Sequence, residues 1–162
     1  MLPTKRIFSF TFSRYNAQLQ SNLLINMNCE LCNTNGENLL WRNQYCRAIL
    51  VDDADYPGFC RVVWHDHTKE MTDLTHPQRN ELMNIVFAVE SAVREIMQPT
   101  KINLASLGNM TPHLHWHIIP RYEDDKHFPN PIWASALRDA RTASVTDIQA
   151  RLSSALLTKL NA

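Results

Sequence analysis

Residues 113–121 read His113-Leu114-His115-Trp116-His117-Ile118-Ile119-Pro120-Arg121, and this run constrains the fold more than any other part of the chain. Side chains of an extended strand alternate between its two faces. His113, His115 and His117 are therefore expected on one face, and Leu114, Trp116 and Ile118 on the other. Such a strand must lay its apolar side on a core, which leaves a row of imidazoles on a rigid mount. Three of the chain's seven histidines fall within these five positions, so a chance cluster of solvated histidines is the weaker reading.

The segments around it supply the rest of a small domain. Leu39–Trp41, Tyr45–Val51 and Phe59–Trp64 are short runs rich in β-branched and aromatic residues, separated by turn-forming stretches, and read as three strands. The period then changes. Leu82, Val86, Val89, Val93 and Ile96 form one apolar stripe at helical spacing, with Thr75 and Gln78 placed as a capping box, Pro77 in the first turn and Pro99 as the stop. Ile85, Ala88 and Ala92 make a second apolar stripe beside the first, which predicts a two-fold dimer contact. Lys101–Leu107 and His113–Ile119 read as two further strands joined through Gly108 and Asn109. Ile148, Leu152, Leu156 and Leu160 predict a last helix capped by Ser144 or Thr146.

The expected fold class is α+β, with a mainly antiparallel sheet, a long helix between strands and a C-terminal helix. Residues 1–28 read as an extension, helical around Ala17–Ile25, with Met27 as a second candidate start. Residues 29–133 form the domain and 134–162 a C-terminal helical segment.

Sixteen basic and sixteen acidic residues balance in 162. That argues against nucleic-acid polymers and anionic membranes, which call for a basic face. No signal peptide and no membrane-spanning run is expected, so the predicted location is the cytoplasm. In a reducing compartment Cys29-Glu30-Leu31-Cys32 reads as a metal-binding or redox pair sooner than a disulfide. A redox motif wants a strand before it, which Asn26–Asn28 does not provide. Cys46 and Cys60 fall within strands and are expected in the core.

Two chemistries suit the histidine row. Alternate histidines on a strand make a common half-site for zinc or iron, though Glu123 is badly placed as a further ligand. The other is nucleophilic attack by a neutral imidazole, whose second ring nitrogen is held as a donor.

The run from His113 to Ile119 resembles the signature of the histidine triad (HIT) family, His-φ-His-φ-His-φ-φ with φ apolar, at every position. The resemblance covers roughly Cys29 to Trp133. It implies a homodimeric enzyme acting on small nucleotides, namely a hydrolase of nucleoside phosphoramidates or dinucleoside polyphosphates. His115 would be the nucleophile on the α-phosphorus, and His117 would bond the phosphate or leaving-group oxygen. Asn103 and Asn109 stand where related hydrolases present amides to phosphate, and Asp53 or Asp52 where ribose hydroxyls are held. All four equally suit turn chemistry. Arg121 and His127 are expected to be solvated near the pocket mouth. The resemblance also implies structural zinc on Cys29, Cys32, His113 and His67, with His65 as rival to His67. Trp64 departs from the family, whose members often have proline there. Alternatives are a nucleotidyltransferase and a non-catalytic nucleotide-binding protein. The related uridylyltransferases are longer and carry prolines where this chain has Leu114 and Trp116.

Overall fold

A computed structural model describes residues 29–140 and 145–161. The expected extension over residues 1–28, its helix and Ser144 lie outside the described residues. Five strands form one sheet: β1 (Asn38–Arg42), β2 (Cys46–Leu50), β3 (Cys60–Trp64), β4 (Lys101–Ala105) and β5 (His115–Arg121). Their order is β1-β2-β3-β5-β4 and every neighbouring pair is antiparallel. The α+β expectation holds, with α1 (His76–Met97) between β3 and β4 and α2 (Ile148–Leu160) near the end. No described helix is long and apolar enough to cross a membrane.

Both helices pack on one side of the sheet, α1 against β3 and β5, and α2 against α1 and β1. Leu114, Trp116 and Ile118 join this core, as their alternation predicts, together with the buried thiols Cys46 and Cys60. The α1 stripe is wider than expected. Ile85 and Ala92 are buried in the same core as Leu82, Val86, Val89 and Val93, a core to which α2, packed against both α1 and β1, contributes Leu152 and Leu156. That stripe is therefore not a free dimer surface.

At the start of α1 the Thr75 amide and hydroxyl both donate to Gln78 Oε1, and the helix ends on Gln98 in the left-handed region (φ 48°) just before Pro99. The cap of α2 is Asp147, not Thr146, and it makes no side-chain cap bond. Trp64 completes β3 opposite Cys46 and stacks on Tyr45 with ring centres 5.5 Å apart.

β5 differs from expectation at both ends. It starts at His115, so His113 lies outside the strand, and it runs on to Arg121. Two separate bonds replace the ladder at its beginning: Trp64 N–H donates to the Leu114 carbonyl, and Leu114 N–H to the Thr68 carbonyl. β4 ends at Ala105, and the Ser106 hydroxyl donates to the His115 carbonyl. Pro120 is accommodated because β3 ends opposite Ile118, so only β4 flanks the strand there. Gly58, just before β3, sits at φ +86°, and a Cβ there would meet the Met97 side chain at 2.8 Å. This left-handed turn delivers Phe59 to the face that carries the histidines.

Candidate functional site

The second face of the sheet carries the polar chemistry. His115 and His117 project from β5 with ring centres 4.6 Å apart, and each is only 5% exposed. Phe59 and Trp133 flank His117 at 5.5 and 5.3 Å between ring centres. Trp133 reaches it from the loop after β5 and is half-exposed.

The His115 ring is held through Nδ1, which lies 2.6 Å from the His113 carbonyl oxygen. A carbonyl has no proton to give, so Nδ1 carries the hydrogen and Nε2 is left with a lone pair. Burial lowers the His115 pKa, outweighing the carbonyl bond that raises it. Burial first, then the neighbouring His115 and Arg61, push His117 down to about 3. Both rings are therefore neutral at neutral pH, the state in which an imidazole is a nucleophile. His117 Nδ1 is buried with no hydrogen-bond partner.

The predicted row of three breaks at His113, which turns toward the N-terminal loop. Its Nε2–H donates to the Trp64 carbonyl at 2.7 Å, so its Nδ1 carries a lone pair. That nitrogen lies 3.4 Å from both Cys29 Sγ and Cys32 Sγ, and His67 Nδ1 lies 3.4 Å from Cys32 Sγ. One donor atom from each of Cys29, Cys32, His67 and His113 falls within 4.8 Å of the others. A tetrahedral zinc with bonds of about 2.3 Å to sulfur and 2.05 Å to nitrogen sets sulfur–nitrogen edges of about 3.6 Å, so the four residues fit such an ion. The Cys32 thiol, pushed up to about 11 by burial and then by Cys29, keeps its proton until a cation offsets the charge. This cluster could hold a metal ion. His65 is elsewhere, with its Nε2–H on the Asn43 carbonyl.

Other candidates are drawn into the framework. Arg121 and His127 are buried, contrary to expectation. The Arg121 guanidinium donates to both Asp125 carboxylate oxygens, to Asn103 Oδ1 and to the Asn130 carbonyl. This bonding ties the loop after β5 back to the sheet and occupies the Asn103 oxygen. Asp53 Oδ1 accepts from Asp55 N–H and shapes its own turn, and Asp52 is exposed beside it. Asn109 is exposed in the β4–β5 loop and lines a groove of about 440 Å³ with Lys69, Ser106 and His113. His115 and His117 do not line that groove. Sequence reasoning missed Phe59, Trp133 and Arg61 as neighbours of His117. For Arg61 a signal was present: it is a lone charge in the otherwise apolar strand Cys60–Trp64.

The HIT domain model matches residues 33–124, more than half of the chain. The chain belongs to the HIT family. Among curated relatives, the AP-4-A phosphorylase of Mycobacterium tuberculosis is 28% identical over 117 residues, covering 65% of this chain and 60% of that protein. The bis(5'-adenosyl)-triphosphatase of Saccharomyces cerevisiae is 26% identical over 93 residues, covering 54% and 45%. This HIT protein thus spans only about half to three-fifths of the length of these relatives. A histidine triad protein from Bradyrhizobium japonicum superposes with a TM-score of 0.62 at 31% identity, over 75% of this chain and 89% of that one. A zinc-bound histidine triad family protein from Mycobacterium smegmatis shares the fold at 20% identity, with a TM-score of 0.61 and coverage of 82% and 96%.

The Asp125 carboxyl generates a pH prediction. Burial alone would raise its pKa, but Arg121 and the N–H groups of His127 and Tyr122 hold it down to about 2, below the ordinary 3.8. A depressed carboxylate adds stability that is complete above the unfolded value and disappears as pH falls through the folded one. Urea unfolding of wild type and Asp125→Asn should therefore differ most above pH 4. The gap should close between pH 4 and 2, and a gap that stays constant would remove Asp125 as its source.

Proposed function

We propose that this HIT protein cleaves small nucleotides at the α-phosphorus through a nucleotidyl-His115 intermediate, with nucleoside phosphoramidates or dinucleoside polyphosphates as substrates. One observation carries the reading: the bond from His115 Nδ1 to the His113 carbonyl. It fixes the tautomer that leaves Nε2 unprotonated, in a ring already desolvated and neutral. Phosphoryl-type transfer needs positioning and charge neutralisation more than elaborate covalent machinery, and β5 provides the positioning. In the first step the Nε2 lone pair bonds the phosphorus, the bond from phosphorus to the leaving group breaks with its electron pair departing on that group, and an N–H of His117 bonds the phosphate or leaving-group oxygen. Water then cleaves the phosphorus–nitrogen bond. The names of the two curated relatives, both enzymes of diadenosine polyphosphates, support this substrate class.

A second reading is favoured by the phosphorylase name of the Mycobacterium tuberculosis relative. There inorganic phosphate, not water, would accept the nucleotide. Products separate the two, since hydrolysis of diadenosine tetraphosphate releases AMP and phosphorolysis releases ADP.

Labelled substrate quenched in base should leave label on the peptide that contains His115, and acid should strip it, because phosphorus–nitrogen bonds survive base and break in acid. His115→Ala should lower turnover by several powers of ten, as nucleophile loss in covalent enzymes costs on the order of 10⁶-fold, while the thermal transition is kept. Turnover by His115→Ala comparable to wild type would end the nucleophile assignment.

The same reading includes structural zinc on Cys29, Cys32, His67 and His113. The ion would supply a cross-link between the N-terminal loop, the segment after β3 and the start of β5. The thiols, none of them in a disulfide, are in keeping with a reducing, cytoplasmic setting. Metal analysis should find about one zinc per chain, and chelation should lower the melting temperature. Protein with far less zinc after growth in zinc-rich medium would remove the site from the account.

A homodimer also belongs to the proposal. Among the described residues no strand covers the outer edge of β4, and Phe87 of α1 is 52% exposed. Light scattering should give twice the chain mass of 18.8 kDa, the two-fold assembly being the commonest kind. A monomer at micromolar concentration would count against it.

A further inference from the structure

Trp133 meets His117 with ring centres 5.3 Å apart and an interplanar angle of 75°, and it is 51% exposed. Phe59, which flanks the same histidine, is by contrast buried with Tyr56 and Ile119. Ile132, the preceding residue, packs against that cluster, whereas Trp133 joins none of the apolar clusters among the described residues. The loop does not need the indole to hold its shape. Arg121 donates to the Asn130 carbonyl, and Arg138 to the carbonyls of Asp125 and Phe128. The N–H groups of Ala134 and Leu137 donate to the carbonyls of Pro131 and Lys126. These bonds fix the backbone on both sides of residue 133. An indole left half in water forgoes much of the free energy that its burial would supply, so a smaller polar residue would serve folding better here.

The surroundings say what suits the open indole. His115 and His117 offer a phosphate site, and the aromatic beside them adds a flat, uncharged, polarisable face. A phosphate gains little from such a face. A nucleobase gains much, because every base has a π-face to lay on an aromatic side chain. The 75° angle keeps the indole from lying flat over the imidazole, so a ring stacked on it cannot lie flat on His117 either.

The geometry points to Trp133 as a stacking platform for a nucleobase, which makes it a residue that selects base-bearing phosphates over bare ones. The inference rests on the reading of the His115–His117 site as a nucleotide site, and deepens it by naming the side chain that holds the base. Two bases have the required chemistry. One belongs to the nucleoside whose phosphorus His115 attacks. The other, in a dinucleoside polyphosphate, lies at the far end of the phosphate chain. No bond forms or breaks at Trp133, whose part is binding energy alone.

Calorimetry on the whole chain separates the two sources without turnover. The ligands are ribose 5-phosphate, AMP, and non-hydrolysable methylene-bridged analogues of adenosine tetraphosphate and diadenosine tetraphosphate. If the near base stacks, Trp133→Ala should weaken AMP and both analogues by about 5- to 150-fold, the worth of one base–aromatic stack. If the far base stacks, the same loss should appear with the diadenosine analogue only. Either result supports the platform and names its base. Ribose 5-phosphate should bind wild type and Trp133→Ala alike, and Trp133→Phe should keep most of the affinity. Leu137→Ala, at a residue of the same loop that is 53% exposed, should change none of the values. The diadenosine analogue should also quench tryptophan emission in wild type and not in Trp133→Phe, a readout that remains if Trp133→Ala does not fold. Three results would overturn the proposal: unchanged affinity of Trp133→Ala for every adenine ligand, an equal loss for ribose 5-phosphate, or no adenine ligand bound by wild type. Equal quenching in wild type and Trp133→Phe would do the same. Because binding is read without chemistry, an active His115→Ala enzyme would end the nucleophile reading and leave this one standing.

Discussion

The contacts of one residue, His113, tie the site to the fold. Its Nε2–H is bonded to the last carbonyl of β3, at Trp64, and its Nδ1 faces the sulfurs of Cys29 and Cys32. Its own carbonyl accepts the Nδ1–H of His115. The imidazole and the backbone of this residue thus serve two different neighbours. The side chain joins the N-terminal loop to the sheet just where the β3–β5 ladder becomes irregular. The carbonyl orients the next histidine along. A shift of the Cys29–Cys32 loop would be felt at His115 through a single residue.

The sheet around this junction has one face for stability and one for chemistry. Two helices bury the apolar alternates of β5 on the first face. On the second, small apolar clusters around Val63 and around Phe59 and Ile119 flank the histidines and keep them nearly dry. Desolvation holds both rings neutral. The same face contains the guanidinium groups of Arg47, Arg61 and Arg121, and how these are neutralised distinguishes them. Arg47 and Arg121 have buried or half-buried carboxylate partners and act as cross-links between loops and strands. Among the described residues no carboxylate pairs with Arg61, whose charge stands over the Phe59 ring on the strand beside His117.

Much of this was legible in the residues because it depends on local periodicity. The alternation in β5, the helical stripe of α1, the Thr75–Gln78 cap and the Pro99 stop are short-range patterns, and each maps onto an observed element. Errors fell where distant segments meet. Ile85 and Ala92 read as a spare surface because nothing local shows that they join the core shared with α2. Arg121 and His127 read as solvated because Asn103, which bonds Arg121, and Tyr56, which bonds His127, come from segments far away in the sequence.

The sequence by itself determined the α+β class, the strand that bears the histidines and its orientation toward the core, since the two-residue period of a strand and the 3.6-residue period of a helix are set by backbone geometry. Tertiary structure alone decided that His113 leaves the row to face Cys29, Cys32 and His67. It also decided that Asn103 bonds Arg121, and that Arg61 stands beside His117 without an acid. Each of these depends on which side chains meet across strands and loops far apart in the chain. Hydrogen-bond and charge partners are chosen by distances of a few ångströms in space, and spacing along the sequence does not encode them.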